Sequence, residues 1–313
     1  MPNWNISAPA PEYVQGLGPP PPSRTPTPNV DSLIRELRDQ PYIAIDTETT
    51  GLSNYKDYPL YWSLAWGKRR ITLHASTLPM FTSIFNDPLK RWILANAKFD
   101  MHMLANYGTP LYGEVHCIQV MDSLLFEEEH HALKQMANRL LDYTWKDFQD
   151  TFGRISKKKG ISAEDVIRIA EQENMGLLIE YASMDAWGTW ELYWLLREKL
   201  DKEPTYSLYH DSPPYLKTLL DIFIKIEVPY TTVLWSMERK GVLIDMERVN
   251  ALSPKLLSDA EDLQRQMVKE CRKELLQAWS YLTLEQKLAI PELMQKIVEG
   301  SMRLNIKSPL QLR

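Results

Sequence analysis

The apolar run Tyr42-Ile43-Ala44-Ile45 ends in Asp46-Thr47-Glu48-Thr49, and this transition constrains the chain more than any other feature. In an extended strand successive side chains alternate faces, so Asp46 and Glu48 project from the same side. Neighbouring carboxylates repel unless a cation or a proton lies between them. The pair is therefore either a solvated strand end or part of a site built around positive charge. Two further acids end separate segments: Asp100 in Asn96-Ala97-Lys98-Phe99-Asp100, and Asp185 in Tyr181-Ala182-Ser183-Met184-Asp185. Carboxylate oxygens are the ligands that Mg²⁺ and Mn²⁺ prefer, so the four acids together point to a hard-cation site.

Composition narrows the function classes. A length of 313 residues predicts about two domains. The 44% hydrophobic and 25% charged fractions are those of an ordinary soluble globular chain. No window approaches the roughly 18 apolar residues of a membrane span, and the N-terminus lacks the order of a secretory signal, so no membrane partner and a cytoplasmic location are expected. Cys117 and Cys271 lie far apart, which leaves neither a disulfide framework nor a zinc site. A net charge of −5 excludes a protein that coats nucleic acid by bulk charge, but not one that holds a few nucleotides in a local groove.

Residues 1–30, with Pro19-Pro20-Pro21-Pro22, cannot bury enough apolar surface to offset their ordering entropy, and a disordered proline-rich arm is expected. A first domain is expected over 31–205. Its pattern predicts a helix over 32–38, a strand through Ile45, paired strands over 60–66 and 70–74 joined at Gly67-Lys68, and a short buried strand over 92–95. A helix from Lys98 follows, then helices around 120–127, 131–141, 162–171 and 176–199. Strands first and helices after indicate a mixed α/β layer fold. From 206 to 313 the pattern is almost purely helical: Tyr215 to Arg239 capped by Gly241, an extended step at Val242-Leu243-Ile244, then two long helices, the second over 284–298 with Pro291 as a kink.

Tyr181 and Asp185 are four apart within a helical pattern and share one face, where a tyrosine can orient a water acidified by metal. Asp100 falls in a first helical turn, a position the helix dipole favours for any acid. Lys68-Arg69-Arg70 and Lys157-Lys158-Lys159 read either as solvated loops or as phosphate contacts. Trp187, Trp190 and Trp194 stand at core spacing, and His130-His131 has no partner spacing for zinc.

The order Asp-x-Glu, Asn-x-x-x-Asp, Tyr-x-x-x-Asp resembles the DEDDy subgroup of the four-acid exonuclease superfamily. Asp46-Thr-Glu-Thr-Thr-Gly-Leu52, Asn96-Ala-Lys-Phe-Asp100 and Tyr181-Ala-Ser-Met-Asp-Ala186 resemble the three exonuclease motifs of family A DNA polymerases. Met121-Asp122-Ser123 and His131-Ala132-Leu133-Lys134 resemble the stretch between the second and third motifs. Ile226 to Tyr230, Leu234 to Glu238 and Lys240 to Asp245 resemble the segment joining exonuclease to thumb, and Asn305 to Leu312 resembles the thumb-tip motif that contacts duplex DNA.

The resemblance implies an RNase H-like (DnaQ-like) mixed-sheet exonuclease domain followed by an all-α thumb-like segment. It implies 3′→5′ proofreading hydrolysis of a single-stranded or frayed DNA 3′ end through two divalent cations, Mg²⁺ or Mn²⁺. Asp46, Glu48, Asp100 and Asp185 would hold the metals, with Tyr181 orienting the water. Thr47, Thr49, Leu52, Asn96 and Phe99 would lie on the substrate side. No palm or fingers follow the thumb motif in this sequence, so a separate polymerase chain is expected as partner, in a bacterial or phage-infected cytoplasm. The alternatives are a free-standing exonuclease that trims RNA and a non-catalytic docking subunit.

Overall fold

The computed structural model describes residues 30–141, 151–153, 162–205, 215–281 and 283. The arm over 1–29, the lysine run 157–159, the helix expected over 284–298 and the thumb-tip motif 305–312 lie outside the described residues. The chain divides into two compact units, Met1–Gly241 and Val242–Arg313.

Among the described residues the first unit starts with α1 (Val30–Arg38), whose Leu33 and Leu37 are buried. There follow β1 (Tyr42–Thr49), β2 (Pro59–Trp66) and β3 (Arg69–His74), an antiparallel meander whose β2–β3 turn uses Gly67 at φ 54°. A 3₁₀ turn and the short α2 (Thr82–Phe85) lead to β4 (Arg91–Leu94), α3 (Ala97–Asn106) and β5 (Glu114–Cys117). The strand order is β3-β2-β1-β4-β5, with β1, β4 and β5 parallel and β2 antiparallel to its neighbours. This mixed five-stranded sheet with helices is RNase H-like. Every expected strand is present, β1 running on past Ile45 to Thr49, and β5 is added at the edge.

Helices α4 (Ile118–Leu125) and α5 (Leu133–Leu140) precede the long α6 (Ala163–Lys202), which packs across β1, β2 and β3. Helix α6 is two helices joined end to end. Ser162 and Asp165 form a reciprocal capping box at its start, and the backbone breaks at Asn174, with φ −157° and ψ 76°. The Asn174 side chain accepts from Leu177 N at 3.0 Å and so caps the second half. The break falls between the two helices that the sequence pattern predicts. Trp187, Trp190 and Trp194 are all buried core residues. Lys68-Arg69-Arg70 does not form a free basic patch, because Arg69 pairs with Glu36 and Arg70 with Glu180 at 2.6 Å.

After a short α7 (Leu219–Ile222) and one π-helical turn (Phe223–Glu227), α8 (Val228–Lys240) packs on α3. Gly241 ends it at φ 68°, donating its N–H to Met237 O at 2.9 Å, as a C-cap glycine does. The second unit contains α9 (Met246–Ser280), on which Leu252, Leu256, Leu257 and Leu263 are exposed. No helix among the described residues is long and apolar enough to cross a membrane.

The β4–β5 side of the sheet is set by close backbone approach. Buried Lys90 donates to the carbonyls of Leu37, Arg38 and Gln40 at 2.6–2.9 Å, tying the start of β4 to the end of α1. Gly113, at φ 99°, leads into β5, and a Cβ there would lie 2.3 Å from Lys90 O. Gly113→Ala is therefore expected to lower stability by about 2–4 kcal/mol in urea denaturation, through strain at positive φ plus overlap with an immobile carbonyl.

Candidate active site

Strand β1 is central, but its two edges are not paired to the same depth. The pairing with β4 stops at Ala44↔Ile93, whereas that with β2 continues through Asp46↔Ser63 and Glu48↔Tyr61. The acidic end of β1 thus projects beyond β4 on one side, and the Asn96–Asp100 segment enters there at the start of α3. A register shift between Glu48 and Thr49 ends the regular ladder. Asp46 and Glu48 therefore stand at a crevice outside the carboxyl ends of the parallel strands, where open α/β sheets place ligands.

Helix α6 brings the next acid. Two contacts fix it to β3: the Arg70–Glu180 ion pair, and Thr72 Oγ1 donating to Ile179 O at 3.3 Å. With Glu180 and Ile179 so anchored, Tyr181 and Asp185 follow on the helix one turn apart. Ligand oxygens of Asp46, Glu48 and Asp185 all lie within 4.8 Å of one another, close enough for a single cation to be shared. Tyr181 packs edge-on against Phe152, with ring centroids 5.3 Å apart.

Asp100 is held in a second manner. It is buried, and Thr47 Oγ1 donates to its Oδ1 at 2.6 Å. Thr47 faces away from Asp46 and Glu48 along the strand, so its hydroxyl serves the acid of α3. Thr49 is also buried and donates to Gly51 O at 2.8 Å, shaping the loop that follows β1. Leu52 on that loop is 83% exposed. Asn96 is exposed at the N-cap of α3 with no side-chain capping bond, and Phe99 is half-buried. The structure thus brings Asp46, Glu48 and Asp185 into one cluster and sets Asp100 beside it, within electrostatic reach of Asp46.

Electrostatics follow from crowding. Burial pushes the Asp46 carboxyl up to about 7, against the opposing pull of Lys134. Burial and then the Asp46 charge push Glu48 up to about 8. Asp100 is raised well above the usual carboxylate range by burial and by Asp46, although its Thr47 hydrogen bond works the other way. Such a donor set, all carboxylate oxygen with too many negative charges for its depth, suits a hard divalent cation. Lys134 already marks where positive charge is accepted: its ammonium pairs with Asp185 and lies 4.9 Å over the Tyr181 ring. Sequence patterning gave no reason to single out Lys134, since one lysine opening a helix carries no signal of its own.

Other polar clusters have structural explanations. His131 Nδ1 lies 2.7 Å from Asp122, whose carboxylate also accepts two bonds from Arg139 at 2.6 and 2.7 Å. On the far side of α3, Glu238 of α8 joins Lys98 by an ion pair and lies 3.0 Å from His102 Nε2. Tyr55, on the Leu52 loop, donates to Glu238 O at 3.2 Å. Asn106 at the end of α3 donates to the carbonyls of Asn54 and Asp57 in the same loop at 3.1 and 2.7 Å.

Residues 25–201 match the family model for the 3′-5′ exonuclease of DNA polymerase A. Among curated proteins, the chloroplastic DNA polymerase I A of rice (Oryza sativa subsp. japonica) is 27% identical over 202 residues, which cover 58% of this chain and 19% of that protein. DNA polymerase I of Synechocystis is 27% identical over 250 residues, covering 72% and 22%. The chain therefore spans about a fifth of the length of these relatives. Among solved structures, the POL domain of Pol1 from M. smegmatis in complex with DNA primer-template and dNTP superposes with a TM-score of 0.55 at 16% identity. That match covers 82% of this chain and 37% of the other, and it shows a shared fold.

Because the fold raises the affinity of Asp46 and Glu48 for protons, the stability they contribute is complete below about pH 4 and lost as pH rises through about 7 and 8. In chelator, the melting temperature is expected to fall between about pH 5 and pH 8. Saturating Mn²⁺ should restore most of the loss at the upper end, and Asp46→Asn with Glu48→Gln should flatten the profile. Differential scanning fluorimetry across pH, with and without metal, checks all three.

Proposed function

The chain belongs to the 3′-5′ exonuclease family of DNA polymerase A, and from that premise we propose that it removes nucleoside 5′-monophosphates from the 3′ end of DNA by metal-dependent hydrolysis. Asp46, Glu48, Asp100 and Asp185 are the residues that would hold two divalent cations, Mg²⁺ or Mn²⁺. Bound there, the metals would acidify water and neutralise the leaving oxygen. The observation that carries this reading is the convergence of Asp46, Glu48 and Asp185 oxygens within 4.8 Å from two separate elements, with Tyr181 one helical turn from Asp185.

The chain's own residues supply position. Tyr181, one helical turn from Asp185 and packed edge-on against Phe152, would orient the attacking water together with Glu48. Thr47 holds Asp100 in place by its 2.6 Å hydrogen bond. Leu52 is an exposed apolar contact for the terminal base, on a loop braced from α3 and α8 by Asn106 and Glu238. Asn96, exposed at the N-cap of α3, and half-buried Phe99 would meet the strand from the start of that helix. A site that threads a single strand between such groups removes a frayed end faster than a paired one, because a paired end must first be unstacked. That preference is proofreading. The polymerase it serves would bear palm and fingers of the same family, with residues 226–245 resembling the segment that leads from exonuclease to thumb.

Hydrolysis of 5′-labelled oligonucleotides with Mg²⁺ tests the reading. Asp46→Ala with Glu48→Ala is expected to reduce the rate by at least about 10³-fold, and Tyr181→Phe by about 10–100-fold. Single-stranded and mismatched DNA ends should be cut faster than paired ones. A strong preference for RNA of the same sequence, or an unchanged rate in the double variant, would refute it.

A further inference from the structure

We propose that Lys134 is a resident counter-ion of the acid cluster, whose ammonium and a divalent cation compete for the Asp185 carboxylate. The inference rests on the reading of that cluster as a metal centre and adds to it a residue with a defined part in loading.

The pair is not an exposed surface contact, since the side chains of Lys134 and Asp185 are 16% and 11% exposed. The same ammonium lies 4.9 Å over the Tyr181 ring, so it touches two of the residues assigned to the reaction at once. Its charge also reaches Asp46 and Glu48, where it opposes the effect of burial. Lys134 sits in the first turn of α5, which packs against α6, so its backbone stays beside Asp185 whatever its side chain does.

The choice of cation is itself informative. Where this chain neutralises the buried acid Asp122, it uses Arg139, whose Nη2 donates to both carboxylate oxygens at 2.6 and 2.7 Å while Nη1 reaches Glu129, with His131 added. At Asp185 it uses a lysine, a point charge on a flexible four-carbon stem that can leave one partner for another. Two divalent cations would match the four carboxylates, and the released ammonium then supplies the single positive charge that a scissile phosphodiester requires. Tyr181 would be freed in the same movement, so metal loading and release of the water-orienting tyrosine would be one event.

Isothermal titration of the whole chain with Mn²⁺, in the absence of DNA, reads this directly. Lys134→Met is expected to bind Mn²⁺ about fivefold more tightly than the wild type, the ratio given by loss of ~1 kcal/mol of ion pairing. In chelator its melting temperature should fall below that of the wild type, and the gain on adding Mn²⁺ should be larger. Lys134→Arg, which keeps the charge, should not show the tighter binding. Equal or weaker Mn²⁺ affinity in a folded Lys134→Met overturns the inference alone; no Mn²⁺ binding by the wild type overturns the metal reading along with it. A crystal structure of the wild type loaded with Mn²⁺ is the second test and needs no variant. Lys134 Nζ should have left ion-pair distance of Asp185, and persistence of that pair beside a bound ion would refute the proposal.

Discussion

Mutual repulsion among carboxylates is the constraint around which this molecule is built. Asp46, Glu48 and Asp185 bring their oxygens within 4.8 Å of one another, and Asp100 is buried nearby. Left to themselves, these groups would separate or take up protons. They are held by contacts outside the cluster: the β1–β2 ladder, the Arg70–Glu180 and Thr72–Ile179 ties that anchor α6, and the Thr47–Asp100 bond that anchors α3. Energy from ordinary packing is thereby stored at one place, which is how perturbed acids come to mark functional sites.

The sheet topology decides which elements can contribute. The carboxyl end of β1 projects past β4 and remains paired only with β2, which opens a crevice on one side. Helix α3 enters it from the end of β4, and α6 crosses it from the β3 side. Three stretches far apart in the chain thus supply one pocket of charge: the end of β1, the first turn of the helix after β4, and a helix locked to β3.

Much of this was legible in the order of residues, and the reasons differ by element. The β1 run and the β2–β3 hairpin are marked by strong apolar segments and a glycine turn, and they form as expected. The break at Asn174 agrees with two predicted helices because polar residues interrupt the apolar period there. Strand β5, Glu114-Val-His-Cys, was invisible: four residues with two polar side chains make no pattern. Its place is fixed by backbone approach at Gly113 and by parallel pairing with β4, both of them tertiary. The roles of Thr47 and Lys134 were hidden for the same reason, since each depends on a partner more than fifty residues away. Resemblance placed Lys134 in a familiar stretch without saying what it touches.

The grip of Glu238 has a mechanical consequence. One carboxylate on α8 holds both Lys98 and His102 on α3, while its own backbone carbonyl receives Tyr55 from the loop that carries Leu52. Helix α3, helix α8 and the Leu52 loop are therefore cross-linked at one residue, so removing the Glu238 carboxylate would release Lys98 and His102 together, both on the helix that also carries Asp100.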